Sequence, residues 1–99
     1  MGFVQIIEYH TSKQDEIRKL DEEWIAATEG KRSAGRAMSC QDRNDPTRYF
    51  QIVEFPSHEA AMKNSELPET AAMAKKMGAL CDGPPTFYDL DVVTLDELT

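Results

Sequence analysis

The sequence predicts an α+β fold of ferredoxin-like order, strand, helix, strand, strand, helix, strand, with an antiparallel sheet and its helices on one face. Three observations predict it. Four segments rich in β-branched and aromatic residues, at 3–9, 33–41, 48–55 and 86–93, are separated by stretches with helical apolar spacing. The middle two strands are joined by turn formers, Asp42-Arg43-Asn44-Asp45-Pro46, which makes them antiparallel neighbours. The length, 99 residues, allows one domain over residues 1–99.

The first strand places Phe3, Gln5, Ile7 and Tyr9 on one face and Val4, Ile6 and Glu8 on the other. A helix then starts at Ser12, with Asp15 three places on in a capping-box arrangement, and its apolar stripe runs through Ile17, Leu20, Trp24 and Ala27 to a stop at Gly30. Arg18, Lys19, Glu22 and Glu29 form the solvated side. The strand at 33–41 has small residues on one side, and the strand at 48–55 is the strongest in the chain, ending at Pro56. Ser57 caps a short helix that runs towards Asn64, and Pro68 opens another as its first residue, with Met73, Met77, Leu80 and Cys81 on its buried stripe. Asp82-Gly83-Pro84-Pro85 stops that helix before the last strand.

Composition narrows the function. Eleven Lys and Arg against eighteen Asp and Glu give a net charge of −7, and the longest basic run is Lys75-Lys76. A phosphate-tracking nucleic-acid surface is excluded on that balance, because such affinity comes from counterion release by basic side chains. No apolar stretch approaches the ~20 residues of a membrane span, and Met1-Gly2-Phe3 leads into a strand pattern without a signal-like segment. A cytoplasmic location is expected. Cys40 and Cys81 are far apart, without a CxxC motif or metal-ligand spacing, so they read as reduced thiols. No dinucleotide fingerprint, phosphate loop, HExxH or clustered ligand set occurs, and neither a cofactor nor a metal is expected.

The strands carry bulk on both faces. Tyr49 and Val53 oppose Phe50 and Ile52, and Phe3 and Ile7 oppose Val4 and Ile6. A sheet with one wet face alternates between apolar and polar instead. With no sequence left to cover the second face, a second copy of the chain is the expected cover.

The run Tyr49-Phe50-Gln51-Ile52-Val53-Glu54-Phe55, then Pro56-Ser57-His58-Glu59-Ala60-Ala61-Met62 and Asn64-Ser65-Glu66-Leu67-Pro68-Glu69-Thr70, resembles the antibiotic-biosynthesis-monooxygenase-like group of dimeric α+β barrels. The resemblance covers nearly the whole chain in element order, and its local motif lies within residues 49–70. It implies a homodimer joined through the sheet face, with a cavity between sheet and helices in each subunit. It also implies three possible activities: cofactor-independent oxygenation of an aromatic molecule, non-catalytic binding of such a ligand, or haem binding and degradation. Many members of the group carry a His where this chain has Asn64, and an amide cannot exchange a proton near neutral pH.

The candidate catalytic residues are therefore Tyr49, Asn64 and His10: a phenol beside the motif, the residue at the His position, and an imidazole at a strand end. The candidate ligand-binding residues are Trp24, whose indole can stack on a planar molecule, Arg36, a cation in mid-strand, and Tyr88. His58, after the Ser57 cap, is expected at the surface. Arg36 is expected to pair with Glu8, Glu54 or Asp89 if it does not anchor an anion. Tyr49, Trp24, Asn64 and His10 are expected to share one cavity.

Overall fold

A computed structural model describes residues 2–98. The order is β1 (Phe3–His10), α1 (Gln14–Ala27), β2 (Arg36–Asp42), β3 (Asp45–Phe55), α2 (His58–Ser65), α3 (Pro68–Leu80) and β4 (Thr86–Asp91). The four strands form one antiparallel sheet in the order β2-β3-β1-β4. The ferredoxin-like α+β prediction holds.

Several boundaries shift for local reasons. Helix α1 begins at Gln14 rather than Ser12, and no side chain caps it. Thr11, fully buried, does the anchoring instead: its Oγ1 accepts from the Lys13 amide (2.9 Å) and donates to the Leu80 carbonyl (2.7 Å), tying α1 to the end of α3. The helix closes at Thr28, so Gly30 stands two residues beyond the cap, at φ +80° in the turn that follows. Strand β2 starts at Arg36 because Ser33 is held elsewhere, its hydroxyl donating to the Ala60 carbonyl of α2 at 2.7 Å. Strand β3 starts earlier than expected, at Asp45, and Pro46 is tolerated because pairing with β1 reaches only to Arg48. Ser57 caps α2 as predicted, accepting from the Ala60 amide, and Pro68 is the first residue of α3.

Sheet parity settles the two faces. Phe3, Gln5, Ile7 and Tyr9 face the helices, opposite Phe55, Val53, Gln51 and Tyr49 in register. Their core is split in two. Phe3, Phe55 and Ala61 form one cluster, with Ala34 and Val53 against it; Tyr9, Ile17 and Met77 form the other, with Ile7, Leu20, Tyr49, Leu80 and Cys81 around it. Val4, Ile6, Phe50, Ile52, Met38, Tyr88 and Leu90 lie on the opposite face. Among the described residues no helix covers that face, and Met38, Tyr88 and Leu90 are 46%, 42% and 44% exposed.

Candidate functional site

A cavity of about 360 Å³ lies between the two core clusters. Its position follows from its walls: Ile7 packs on one cluster, Val53 on the other, and both line the space between. The sheet supplies the floor through Gln5, Ile7, Ala37, Ser39, Gln51 and Val53, and the helices supply the roof.

The roof comes from one stripe of α1 and two short contributions. Ile17, Asp21, Trp24 and Thr28 stand at i, i+4, i+7 and i+11, a single narrow helix face. Ile17 and Thr28 are wholly buried at its two ends, and Asp21 and Trp24 between them line the cavity, with Arg18 and Ile25 on the flank. Asn64 enters from α2, Thr70 and Met73 from α3.

Three polar side chains are buried in these walls: Asn64 (7% exposed), Asp21 (9%) and Gln51 (9%). Gln51 Nε2 donates to both carboxylate oxygens of Asp21, at 2.9 and 3.1 Å. Burial pushes the Asp21 carboxyl above the usual carboxylate range, and the Gln51 hydrogen bond and nearby Arg18 oppose that shift. Arg18 itself pairs with Glu22 at 3.3 Å on the outer side of α1. The Asn64 amide oxygen is buried with no hydrogen-bond partner. Trp24 Nε1 donates to Thr70 Oγ1 at 2.9 Å, so the indole is pinned between α1 and α3, with Arg32 5.9 Å from the ring centre on the outside.

Of the residues singled out from sequence, the structure brings Trp24 and Asn64 to this cavity and takes the others elsewhere. Tyr49 shares the helix-facing side but sits one pleat nearer the hairpin than Gln51. There it stacks on Tyr9 (ring centres 5.7 Å apart), accepts from Gln41 Nε2 at 3.0 Å, and lines a separate open cleft with residues 11–16 and Pro46 and Thr47. His10 has the opposite parity: it lies on the far face, with Nδ1 3.4 Å from Thr47 Oγ1 and 4.0 Å from Asp45. Tyr88 and Arg36 share that far face. The Tyr88 hydroxyl donates to Glu8 at 2.9 Å, and Arg36 pairs with Glu54, its partner in register, through Nε and Nη2 at 3.0 and 2.9 Å. The expectation of one cavity shared by Tyr49, Trp24, Asn64 and His10 is thus corrected to Trp24 and Asn64 with Asp21 and Gln51. His58 is exposed as expected, its ring edge-on to Phe3 at 5.1 Å.

Asp21 and Gln51 were not singled out from the sequence. Signals for them existed: a carboxylate four residues after Ile17 and three before Trp24, and an amide amid the apolar strand at 48–55.

The architecture has close counterparts among solved structures. SnoaB, a cofactor-independent oxygenase from Streptomyces nogalater, in a variant with an asparagine replaced by alanine, superposes with a TM-score of 0.81 at 13% identity, over 95% of each chain. The chain has the fold of the antibiotic-biosynthesis-monooxygenase-like proteins. An antibiotic biosynthesis monooxygenase with that fold matches at TM-score 0.74 and 18% identity, over 95% of this chain and 100% of the other. Rv0793 from Mycobacterium tuberculosis matches at 0.76 and 15%, over 100% of both. No family model matches the chain, and no curated protein is significantly similar to it. Among the described residues, no helix is long and apolar enough to cross a membrane.

Proposed function

We propose that the chain is a cytoplasmic homodimer that binds a hydrophobic, aromatic small molecule in the cavity between sheet and helices and oxygenates it without a cofactor. The observation that carries this reading is the cavity itself: an apolar space in a small core, with an indole on its wall and buried polar groups grouped at one place. Core volume is scarce in a 99-residue chain, and an amide oxygen left unpaired in it is costly unless a ligand satisfies it. The shared fold with SnoaB adds an oxygenase as a chemical precedent.

In this reading Trp24 offers its ring to a planar ligand, and Asn64 orients a ligand oxygen. The surrounding apolar side chains hold the ligand and exclude water. The reaction balances for an electron-rich phenol: phenol and dioxygen give a quinone and water, with the ring supplying the electrons. Calorimetric titration of α-naphthol into the protein, followed by oxygen uptake in the mixture, tests both steps. Saturable binding that is weakened in Trp24→Ala and Asn64→Leu, with uptake equal to the quinone formed, supports the oxygenase. Binding without uptake identifies a ligand-binding protein, and no binding removes the reading.

The dimer rests on the uncovered sheet face. A folded chain of 11.2 kDa is expected to expose ~5,700 Å², and this one exposes 6910 Å², an excess of roughly 1,200 Å². Part of that excess belongs to the segment after β4, where Val93, Leu95 and Leu98 are 81%, 85% and 93% exposed; the part a second copy would cover is the apolar sheet face with Met38, Tyr88 and Leu90.

A further inference from the structure

Resting on the ligand-binding reading of the cavity, we infer that Asp21 is its proton acceptor, receiving the hydrogen bond of a ligand hydroxyl and taking that proton as the ring is oxidised. Two buried acceptors with unused capacity line the cavity, the Asp21 carboxylate and the Asn64 amide oxygen. Gln51 spends Nε2 on Asp21, and each carboxylate oxygen retains a further lone pair. Asn64 Oδ1 has no partner. A ligand O–H group can satisfy such an acceptor.

A purely structural role explains less. Pinning α1 to β3 through Gln51 needs only an acceptor, which Asn supplies without burying a charge. Asp21 makes no ion pair among the described residues, because Arg18 beside it is turned to Glu22. The charged or titratable groups around it are those two on its own helix and the buried Tyr9 phenol from β1; β2, β3, α2 and α3 present only uncharged side chains to the cavity. A carboxylate kept in such surroundings has a raised proton affinity, which brings it nearer to that of a phenol.

In the step itself the ligand O–H bond breaks and an O–H bond forms on Asp21, with the electron pair left on the ligand oxygen. The negative charge passes from Asp21 to the aromatic ring, so the enclosed charge is unchanged. The resulting phenolate is the electron-rich form that dioxygen oxidises. Asn64 cannot serve here, and Asp21 supplies from α1 the proton exchange that an amide lacks.

The test compares α-naphthol with its methyl ether, which lacks the O–H, by calorimetry on the full chain. Wild type is expected to prefer the naphthol by about tenfold above the Asp21 pKa, the lower end for a hydrogen bond to a charged group. That preference should decline as Asp21 is protonated at lower pH. In Asp21→Asn, which can still accept from Gln51, the preference should shrink to that of a neutral hydrogen bond and its pH dependence should vanish while ether binding stays. If the variant keeps the wild-type preference, the inference fails and the cavity reading stands. If wild type binds neither probe, both fail. Should Asp21→Asn not fold, a flat pH profile of the preference in wild type overturns the inference.

Discussion

Gln51 and Asp21 face each other across the gap between sheet and helix, one amide nitrogen bonded to both carboxylate oxygens at 2.9 and 3.1 Å. This is the only point at which the floor and roof of the cavity are joined by a buried side-chain hydrogen bond among the described residues. It fixes how far α1 stands from β3, and it does so with a buried carboxylate. Removing the donor in Gln51→Leu leaves that charge bare. A loss of about 1–3 kcal/mol is expected, the cost of an unsatisfied buried group, read as a lower midpoint in urea unfolding.

The pH dependence of the same carboxylate has a definite sign. Its folded pKa lies above the unfolded value of 3.8, so the folded state holds the proton longer as pH rises. Asp21 therefore costs nothing below the unfolded value, and its cost is complete only above the folded one. Asp21→Asn escapes that cost. The Tm difference, variant minus wild type, should grow more positive as pH rises from below 3.8 through the raised folded pKa. A difference that is constant over this range would mean the carboxyl is not perturbed.

How much of this was legible in the sequence depends on parity. The element order was readable because β-branched alternation and the Ile17, Leu20, Trp24 spacing have different periods. Which side of each strand meets the helices was not, since Ile6 and Ile7, or Ile52 and Val53, are equally apolar, and parity alone moves His10, Arg36 and Tyr88 to the far face. Tyr49 was misplaced differently: it has the right parity but lies about 7 Å along β3 from Gln51, at two residues' rise. Asp21 occupied a buried helix position in plain view. Only the donor opposite it distinguishes such a residue from one at the stripe's edge.

Trp24 is the chain's only tryptophan, and its Nε1–H bond to Thr70 links α1 to α3. Thr70→Val keeps the volume but orphans the indole N–H, for an expected loss of about 1 kcal/mol. Trp24→Phe should cost a similar amount plus lost packing. In the double variant the second change should add less than it does alone, because the bond can be lost only once. Full additivity in a double-mutant cycle would show that the bond contributes nothing.

The two sheet faces should respond differently to the same insult. Phe55 belongs to the buried cluster on the helix side, so Phe55→Asp buries a carboxylate in the core and should abolish folding. Ile52 lies on the uncovered face, where an aspartate can reach water in a lone chain. Ile52→Asp should therefore give a folded species of one chain mass, 11.2 kDa, where wild type shows twice that value in light scattering. Wild type at a single chain mass would end the dimer proposal.

Arg48 holds the charged end of that same face, with Nε on Glu8 at 2.8 Å and Nη1 on Asp42 at 3.0 Å, while its guanidinium lies 4.8 Å from the Phe50 ring centre. The Arg48 hydrogen bond is the main cause lowering the Glu8 pKa, with the Tyr88 hydroxyl second; for Asp42 the Asn44 amide comes first and Arg48 next. Carboxylates lowered in this way contribute stability that is present above their unfolded values, 4.5 and 3.8, and lost as pH falls through the folded ones. Arg48→Met keeps a chain to pack on Phe50 and removes the charge. Wild type should exceed the variant in Tm at neutral pH, and the gap should close both towards acid and in about 1 M salt, where exposed pairs are screened. A gap insensitive to both would assign the contribution of Arg48 to its packing on Phe50 alone, because only the ion pairs respond to protons and salt.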